Sequence, residues 1–225
     1  MEKASIFNKQ RRKEYKDMKR FVRVITVVGC VFVLSGCIGV GTPAPMTEQY
    51  IIEYSPPVYD DTLPRIDEPI RVARFSVSRH LNCRSMFYKP APFKREAYNY
   101  HCWRINPGDM ITDCLLRDLR ASGLFKAVFS SYDYGTTRFR LEGCVDECMG
   151  VYEQTPGKAR LGLTVTLLDT KAENATKTIL FQKNYKTSEL LENRTPEELT
   201  RSMSRAMCTL SQQITKDIYT SLESD

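Results

Sequence analysis

Histidine and tryptophan are the scarcest residues of this sequence: 225 residues include two histidines, His80 and His101, and one tryptophan. A Ser-His-Asp or Cys-His catalytic site needs a histidine beside a nucleophile, and neither histidine has one in a recognisable context. The sequence also lacks a glycine-rich phosphate loop, a His-Glu-x-x-His helix and a Gly-x-Ser-x-Gly elbow. We therefore expect a protein that is not an enzyme and that holds no cofactor.

Metal ligands are equally sparse. His80 lies near Cys83, and His101 is followed by Cys102, but these spacings match no zinc signature. Ordinary strand and loop positions are the favoured interpretation for all four residues. The sequence therefore predicts no metal site.

No apolar run is long enough to span a membrane. The run 21–34 has 14 residues and includes Arg23 and Thr26, whereas a spanning helix needs about 20 apolar residues. Lys19 and Arg20 precede it, and a charged region before a short apolar run is typical of an export signal. We predict a signal peptide over residues 1–36, with Met18 as a second candidate for the start.

The residues after this run resemble a bacterial lipobox. Leu34, Ser35, Gly36 and Cys37 supply a branched apolar residue, two small residues that fit a peptidase cleft, and a thiol that can take a diacylglyceryl group. Cys30 lies inside the apolar run without this context. We predict that Cys37 is lipidated and anchors the mature chain.

The mature chain carries no excess of either charge. Residues 1–36 hold nine of the 33 basic and three of the 27 acidic residues, which leaves 24 of each sign from Cys37 onward. A nucleic-acid partner therefore loses its electrostatic support. Residues 37–48 form the lipidated cysteine and a Gly- and Pro-rich flexible tether, and residues 49–225 form one domain. Because Ile38 is not the Asp that retains enteric lipoproteins in the inner membrane, we expect the outer membrane, on its periplasmic face.

Six cysteines follow Cys37, at positions 83, 102, 114, 144, 148 and 208. An even number in an oxidising compartment suggests disulfides, although the sequence cannot choose their connectivity. Cys144 and Cys148 fall in one predicted strand, about 13 Å apart, and so cannot bond to each other.

Two helices and several strands are predicted. Asn106 and Pro107 begin a helix that ends at Gly123, and Thr195 and Pro196 begin another that runs to about Ser221. Strand character occurs at 49–54, 70–78, 97–104, 137–145, 159–168 and 178–187, with a hairpin joining the last two. The fold class is α/β: a single domain with a mixed sheet of about five or six strands and two main helices packed on it.

The order of segments resembles the ABC-type transport auxiliary lipoproteins, the paraquat-inducible protein C-like group. The resemblance covers nearly all of the mature chain and rests on segments 49–54, 70–75, 86–88, 98–103, 106–110, 122–128 and 139–142. The six additional cysteines and the loop from His80 to Arg84 depart from the family pattern.

The resemblance implies a non-catalytic accessory of an MCE-type transporter, which moves phospholipid between the inner and outer membranes. Its partner would be the periplasmic MCE-domain protein, and self-association stays open. A TolB-like or cell-wall-associated interaction lipoprotein, with an α/β domain similar to the TolB amino-terminal domain, is the alternative.

Four aromatic and sulfur-containing residues are candidates for the partner interface: Met86, Phe87, Tyr88 and Trp103. Aromatic residues and Met are enriched in interfaces, but strands of an α/β sheet also bury them. The core interpretation of these residues therefore stays open beside the interface interpretation.

Overall fold

The computed structural model describes Met18, Arg20 and residues 46–60, 62–172 and 178–223. The chain divides into two compact units, Met1–Pro45 and Met46–Asp225. In the first unit only Met18 and Arg20 are described, and both are helical and exposed. Cys37 lies outside the described residues, as do Cys30 and most of the predicted signal peptide and tether. No helix among the described residues has the length and apolar character to cross a membrane.

All strands and the two long helices belong to the second unit. In chain order the strands are β1 Glu48–Tyr50, β2 Ile66–Val72, β3 Ser76–Val77, β4 Ser85–Ala91, β5 Lys94–Trp103, β6 Phe125–Phe129, β7 Phe139–Val151, β8 Lys158–Asp169 and β9 Ile179–Leu190. Helix α1 covers Pro107–Ala121 and helix α2 covers Pro196–Glu223. A short 3-10 helix, Arg79–Leu81, lies between β3 and β4.

Strand β7 is the central strand of the sheet. Three short strands lie parallel to it along one edge: β2 beside its first third, β3 beside its middle and β4 beside its end. The other edge pairs with β8 over nearly its whole length, and β9 continues this antiparallel meander. Beyond the short strands, β6 pairs with β2, β5 with β4, and β1 with β5. The described residues thus form a mixed sheet of nine strands.

Both helices begin with the predicted N-cap side chains, but the capping box predicted at Thr195–Glu198 is only half formed. The Asn106 side chain accepts a hydrogen bond from the Gly108 amide over 2.9 Å, and Gly123 has a φ of +67° just after α1, where glycine avoids a Cβ clash. At α2, the Thr195 hydroxyl accepts from the Glu198 amide over 3.3 Å. The Glu198 side chain does not return to the Thr195 amide, which donates to Asn193 instead.

The core lies between the helices and one face of the sheet. On β8, alternate residues Ala159, Leu161, Leu163, Val165 and Leu167 have no exposed surface. The predicted inner stripe of α2 is fully buried against them: Leu199, Met203, Ala206, Leu210, Ile214 and Ile218. This burial of regularly spaced apolar side chains is the main favourable term in folding, and it confirms the α/β arrangement of two helices on a mixed sheet.

The structure differs from the predicted elements in its strands and its cysteines. Strands β4 and β6 were not predicted, and the predicted strand 70–78 is divided into β2 and β3. All six cysteines are free thiols, so the disulfides suggested by the sequence are not formed among the described residues. They are spread over several elements, and even within β7 Cys148 is buried while Cys144 is only partly so.

Candidate partner-binding surface

The four predicted interface residues occupy two different environments. Met86 and Trp103 have 0% and 1% of their surface exposed, so they are core residues and a partner could not reach them without unfolding the sheet. Phe87 and Tyr88 lie on the same strand, β4, and are partly exposed. Of the four residues predicted for the partner interface, only Phe87 and Tyr88 are therefore accessible to a partner.

Tyr88 belongs to a cluster of three tyrosines at one end of the sheet. Its ring centroid lies 4.8 Å from that of Tyr98 on β5 and 5.3 Å from that of Tyr152, which follows β7. Tilted rings at these separations are favourable aromatic contacts. The hydroxyl groups of Tyr98 and Tyr152 are hydrogen-bonded to each other. We call Tyr88, Tyr98 and Tyr152 the tyrosine cluster.

Charged side chains contact the rim of the tyrosine cluster: Glu96 and Lys94 beside Tyr88, and Arg194 beside Tyr152. Tyr88 donates a hydrogen bond to Glu96 Oε2 over 2.6 Å, and Lys94 forms an ion pair with the same carboxylate. Lys94 and then Tyr88 hold the pKa of Glu96 below its ordinary value, so the rim carboxylate stays charged. The guanidinium of Arg194 lies 5.2 Å from the centre of the Tyr152 ring, within the range of a cation–π contact.

Tyr50, which is not part of the tyrosine cluster, connects the start of the domain to α2. The Tyr50 hydroxyl lies 2.6 Å from Glu48 Oε2 and 2.7 Å from Glu197 Oε1, and a phenol can donate to one of them at a time. The Nδ1 atom of His101 is 3.3 Å from the same hydroxyl. Desolvation, followed by the two carboxylates, raises the pKa of Tyr50 above its ordinary value. Tyr50 therefore stays protonated and links β1, β5 and α2.

These groups can bind but offer no nucleophile. Desolvation also raises the pKa of Tyr98 above its usual range, so its phenol remains a neutral hydrogen-bonding group. Burial raises the pKa of the Cys114 thiol to about 11 and that of Cys148 to about 12, and a protonated thiol is a poor nucleophile. Within the described residues, no group of three or more His, Cys, Asp or Glu side chains is placed to hold a metal ion.

A separate apolar groove lies beside the second half of α2. Leu63, Leu124 and Tyr219 contribute to its walls, and its volume is about 300 Å³. The Tyr219 hydroxyl donates to the carbonyl of Pro64 over 2.9 Å and so fixes the loop that forms one wall. This groove contains none of the residues predicted for the interface.

Sequence reasoning missed two members of the tyrosine cluster as site residues. Tyr152 is 54 residues from Tyr98 in the chain, and only the pairing of β4 with both β5 and β7 brings the three rings together. No local spacing encodes that arrangement. The signal that was available, a partly apolar segment at 86–88, identified Tyr88 alone.

Comparison with known proteins agrees with this fold. The family profile for the ABC-type transport auxiliary lipoprotein component matches residues 56–215. A crystal structure of a protein from Xanthomonas campestris superposes with a TM-score of 0.69 at 16% identity, covering 78% of this chain and 97% of that one. An uncharacterised protein gives a TM-score of 0.58 at 14% identity, with 73% and 99% covered.

A hypothetical protein from Chlamydia trachomatis gives a TM-score of 0.50 at 9% identity, covering 71% of this chain and 100% of that one. No curated protein matches the chain. Identities this low establish a shared fold only, whereas the family profile spans most of the sequence. The chain therefore belongs to the family of ABC-type transport auxiliary lipoprotein components, which makes it a membrane-anchored accessory of a transporter.

Proposed function

We propose that this protein is a non-catalytic docking subunit of an MCE-type ABC transporter that moves phospholipid between the inner and outer membranes. Lipid on Cys37 would anchor it to the periplasmic face of the outer membrane. The observation that carries this proposal is the family match over residues 56–215, which contains both helices apart from the end of α2 and all strands except β1. A non-catalytic auxiliary component acts on transport by binding, and the partner that we propose is the periplasmic MCE-domain protein.

The tyrosine cluster and Phe87 are the proposed contact surface. Tyrosine is frequent among the residues that dominate binding energy, because its ring gives a large contact area and its hydroxyl a hydrogen bond. In this protein the rings are held by one another and by Glu96 and Arg194. A surface that is already ordered loses little conformational entropy when a partner binds.

Purification of the acylated protein from detergent extract, followed by identification of what is bound to it, tests the proposal. We expect an MCE-domain protein. Tyr88→Ala should weaken this association about tenfold, the effect of losing roughly 1.4 kcal/mol of binding energy. Tyr134→Ala is the matched control, because Tyr134 is fully exposed on the loop between β6 and β7 and lies outside the cluster. Tyr134→Ala should melt like the unmodified protein, whereas Tyr88→Ala loses two ring contacts and should melt at a lower temperature, so both are compared at a temperature at which they are fully folded.

Two results together would contradict the transporter role. If no MCE-domain protein is recovered even after crosslinking, and loss of the gene leaves outer-membrane lipid composition and detergent resistance unchanged, the transporter role is excluded. A stable complex with a cell-wall enzyme or a Tol-type protein would then establish the interaction-lipoprotein alternative. The anchor is tested separately by Cys37→Ser, which should abolish labelling with a radioactive fatty acid.

A further inference from the structure

The turn between β4 and β5 carries an aromatic side chain that is fully exposed. Ala91 pairs with Lys94, so Pro92 and Phe93 form a two-residue turn. The Phe93 side chain is fully exposed, with a relative exposure of 105%. Burying a phenylalanine side chain is worth about 1.5–3 kcal/mol relative to leaving it in water, so this position forgoes a stabilising contact within the domain.

Phe93 is also an unfavourable residue for its backbone conformation. Its φ is +61°, in the left-handed region where glycine or asparagine is the usual choice after a proline in such a turn. A bulky residue in this region is uncommon and costs free energy. Neither packing nor turn geometry accounts for phenylalanine here, which points to a contact outside the domain.

Basic residues surround Phe93. Lys89, Lys94 and Arg95 lie in the segment 89–95, which contains no acidic residue. Two of the three have carboxylate partners: Lys89 pairs with Glu153, and Lys94 pairs with Glu96. The hairpin tip, residues 89–95, therefore combines one exposed aromatic ring with three basic side chains, which exceed the two carboxylates paired with them by one positive charge.

The direction of β1 brings the start of the domain toward this tip. Strand β1 is parallel to β5, with Gln49 beside Cys102, so the chain enters β1 from the side of the sheet on which the hairpin turns. Ser85 lies opposite Cys102, and the six steps along the chain from Ser85 to Ala91 cover about 20 Å along β4. The tip is thus about 20 Å beyond the start of β1, in the direction from which the chain comes.

Cys37 precedes Glu48 by eleven residues. A chain of eleven residues reaches at most about 40 Å when fully extended, which exceeds the distance of about 20 Å from the start of β1 to the tip. A lipid on Cys37 therefore permits contact between the tip and the membrane. This step rests on the lipidation of Cys37 in the proposed function.

We propose that the β4–β5 hairpin tip rests on the anionic phospholipid leaflet in which the protein is anchored, with Phe93 inserted among the headgroups. The ring enters the boundary between headgroups and acyl chains, as aromatic side chains of interfacial proteins do. Lys89, Lys94 and Arg95 then lie at the level of the lipid phosphates, where one unpaired basic residue strengthens attachment about fivefold. The second contact fixes the orientation of the domain relative to the membrane surface.

Tryptophan fluorescence of the full acylated protein tests this orientation. The native Trp103 is buried and supplies a constant background. Phe93→Trp introduces a reporter at the tip, and Tyr134→Trp introduces one on the loop at the start of β7, the other end of that strand from its pairing with β4. In phosphatidylcholine vesicles that contain phosphatidylglycerol and lipid brominated near the headgroup, Phe93→Trp should be quenched several-fold more than Tyr134→Trp. Arg95→Gln should reduce that quenching on phosphatidylglycerol vesicles and leave it unchanged on phosphatidylcholine alone.

Two results would overturn the inference and are distinguishable from a failed transporter role. Protein that floats with the vesicles while Phe93→Trp is quenched no more than Tyr134→Trp is anchored without tip contact. Protein that does not float has no lipid anchor, and the inference falls with it. Neither measurement contains a partner, so failure to recover an MCE-domain protein does not affect the outcome. Phe93→Gly is the control for folding: it relaxes the turn and should melt at or above the temperature of the unmodified protein.

Discussion

The hydroxyl of Tyr54 donates a hydrogen bond to Oδ2 of Asp118 over 2.6 Å, which fastens the segment after β1 to helix α1. Asp118 has no exposed surface. The same oxygen accepts from Ser211 of α2 over 2.6 Å, and the guanidinium of Arg117 lies 4.3 Å from the centre of the Tyr54 ring. One buried carboxylate therefore joins two helices and an extended segment.

Replacing Asp118 should destabilise the domain strongly. Asp118→Ala leaves the buried Ser211 hydroxyl and the Tyr54 hydroxyl without their acceptor, and an unsatisfied buried group costs about 1–3 kcal/mol. We expect the free energy of unfolding in urea to fall by about 3 kcal/mol, and by about 1–2 kcal/mol for Tyr54→Phe, which keeps the ring. Tyr134→Phe, on an exposed loop, should change it by less than about 0.5 kcal/mol. A similar small effect at Asp118 would contradict this account.

Trp103 should act through packing. Its side chain is almost completely buried beneath the sheet, so Trp103→Ala should lower the free energy of unfolding by about 3–5 kcal/mol. Trp103→Phe keeps most of the ring volume and should cost less. Thermal melting and urea denaturation both measure the effect. If Trp103→Ala instead melted like the unmodified protein and lost partner binding, Trp103 would belong to the interface and not to the core.

Gly143 should not tolerate a side chain. A Cβ atom at this position of β7 would overlap the ring of Phe75, which is itself buried. Gly143→Ala should therefore cost about 1–3 kcal/mol, as overpacking does. In a double-mutant cycle, Phe75→Leu should cost less in the Gly143→Ala protein than in the unmodified one. Strict additivity of the two changes would show that the ring and the backbone at Gly143 are not in contact.

The ion pair of Asp169 with Arg138 predicts a loss of stability in acid. Two nitrogens of Arg138 donate to Asp169 Oδ2 at 3.0 and 2.9 Å, and this contact holds the pKa of Asp169 below its ordinary value. Its contribution is complete above the unfolded-state pKa of about 3.9 and disappears as pH falls through the lower folded-state pKa. The stability difference between the unmodified protein and Asp169→Asn should thus be present at pH 7 and shrink below pH 4. A difference that grows in acid would reverse the assigned sign.

The helices and the outer meander could be predicted because their signals are local. Asn106 and Pro107 start α1 and Gly123 ends it, and the alternation from Leu161 to Leu167 identifies β8. Strand β4 was missed because Pro90 and Pro92 are typical of loops. The predicted bounds 137–145 end before the second half of β7, although Cys144 and Cys148 were assigned to one strand, because a bulge between Val145 and Glu147 breaks the alternation on which strand prediction depends.

The candidate site was predictable only in part, for a different physical reason. The sequence drew attention to Phe87 and Tyr88 because they lie in one short apolar segment. It could not show that they are partly exposed while Met86 and Trp103 are buried. Tyr152 joins Tyr88 through the parallel pairing of β4 with β7, a long-range contact. The exposure of Phe93 depends on a turn between two strands, one of which was not predicted.

Strand β7 also determines the order in which this domain can fold. Strands β2, β3 and β4 precede β7 in the chain, yet each pairs with it. Ile70, for example, pairs with Phe139, which lies 69 residues later. Before β7 is present, β2 can pair only with β6 and β4 only with β5 among the described strands, and pairings as distant as that of Ile70 slow folding to milliseconds or longer. The first half of the chain is therefore the part that periplasmic chaperones would have to protect from aggregation, and fragments that end before β7 should fail to fold.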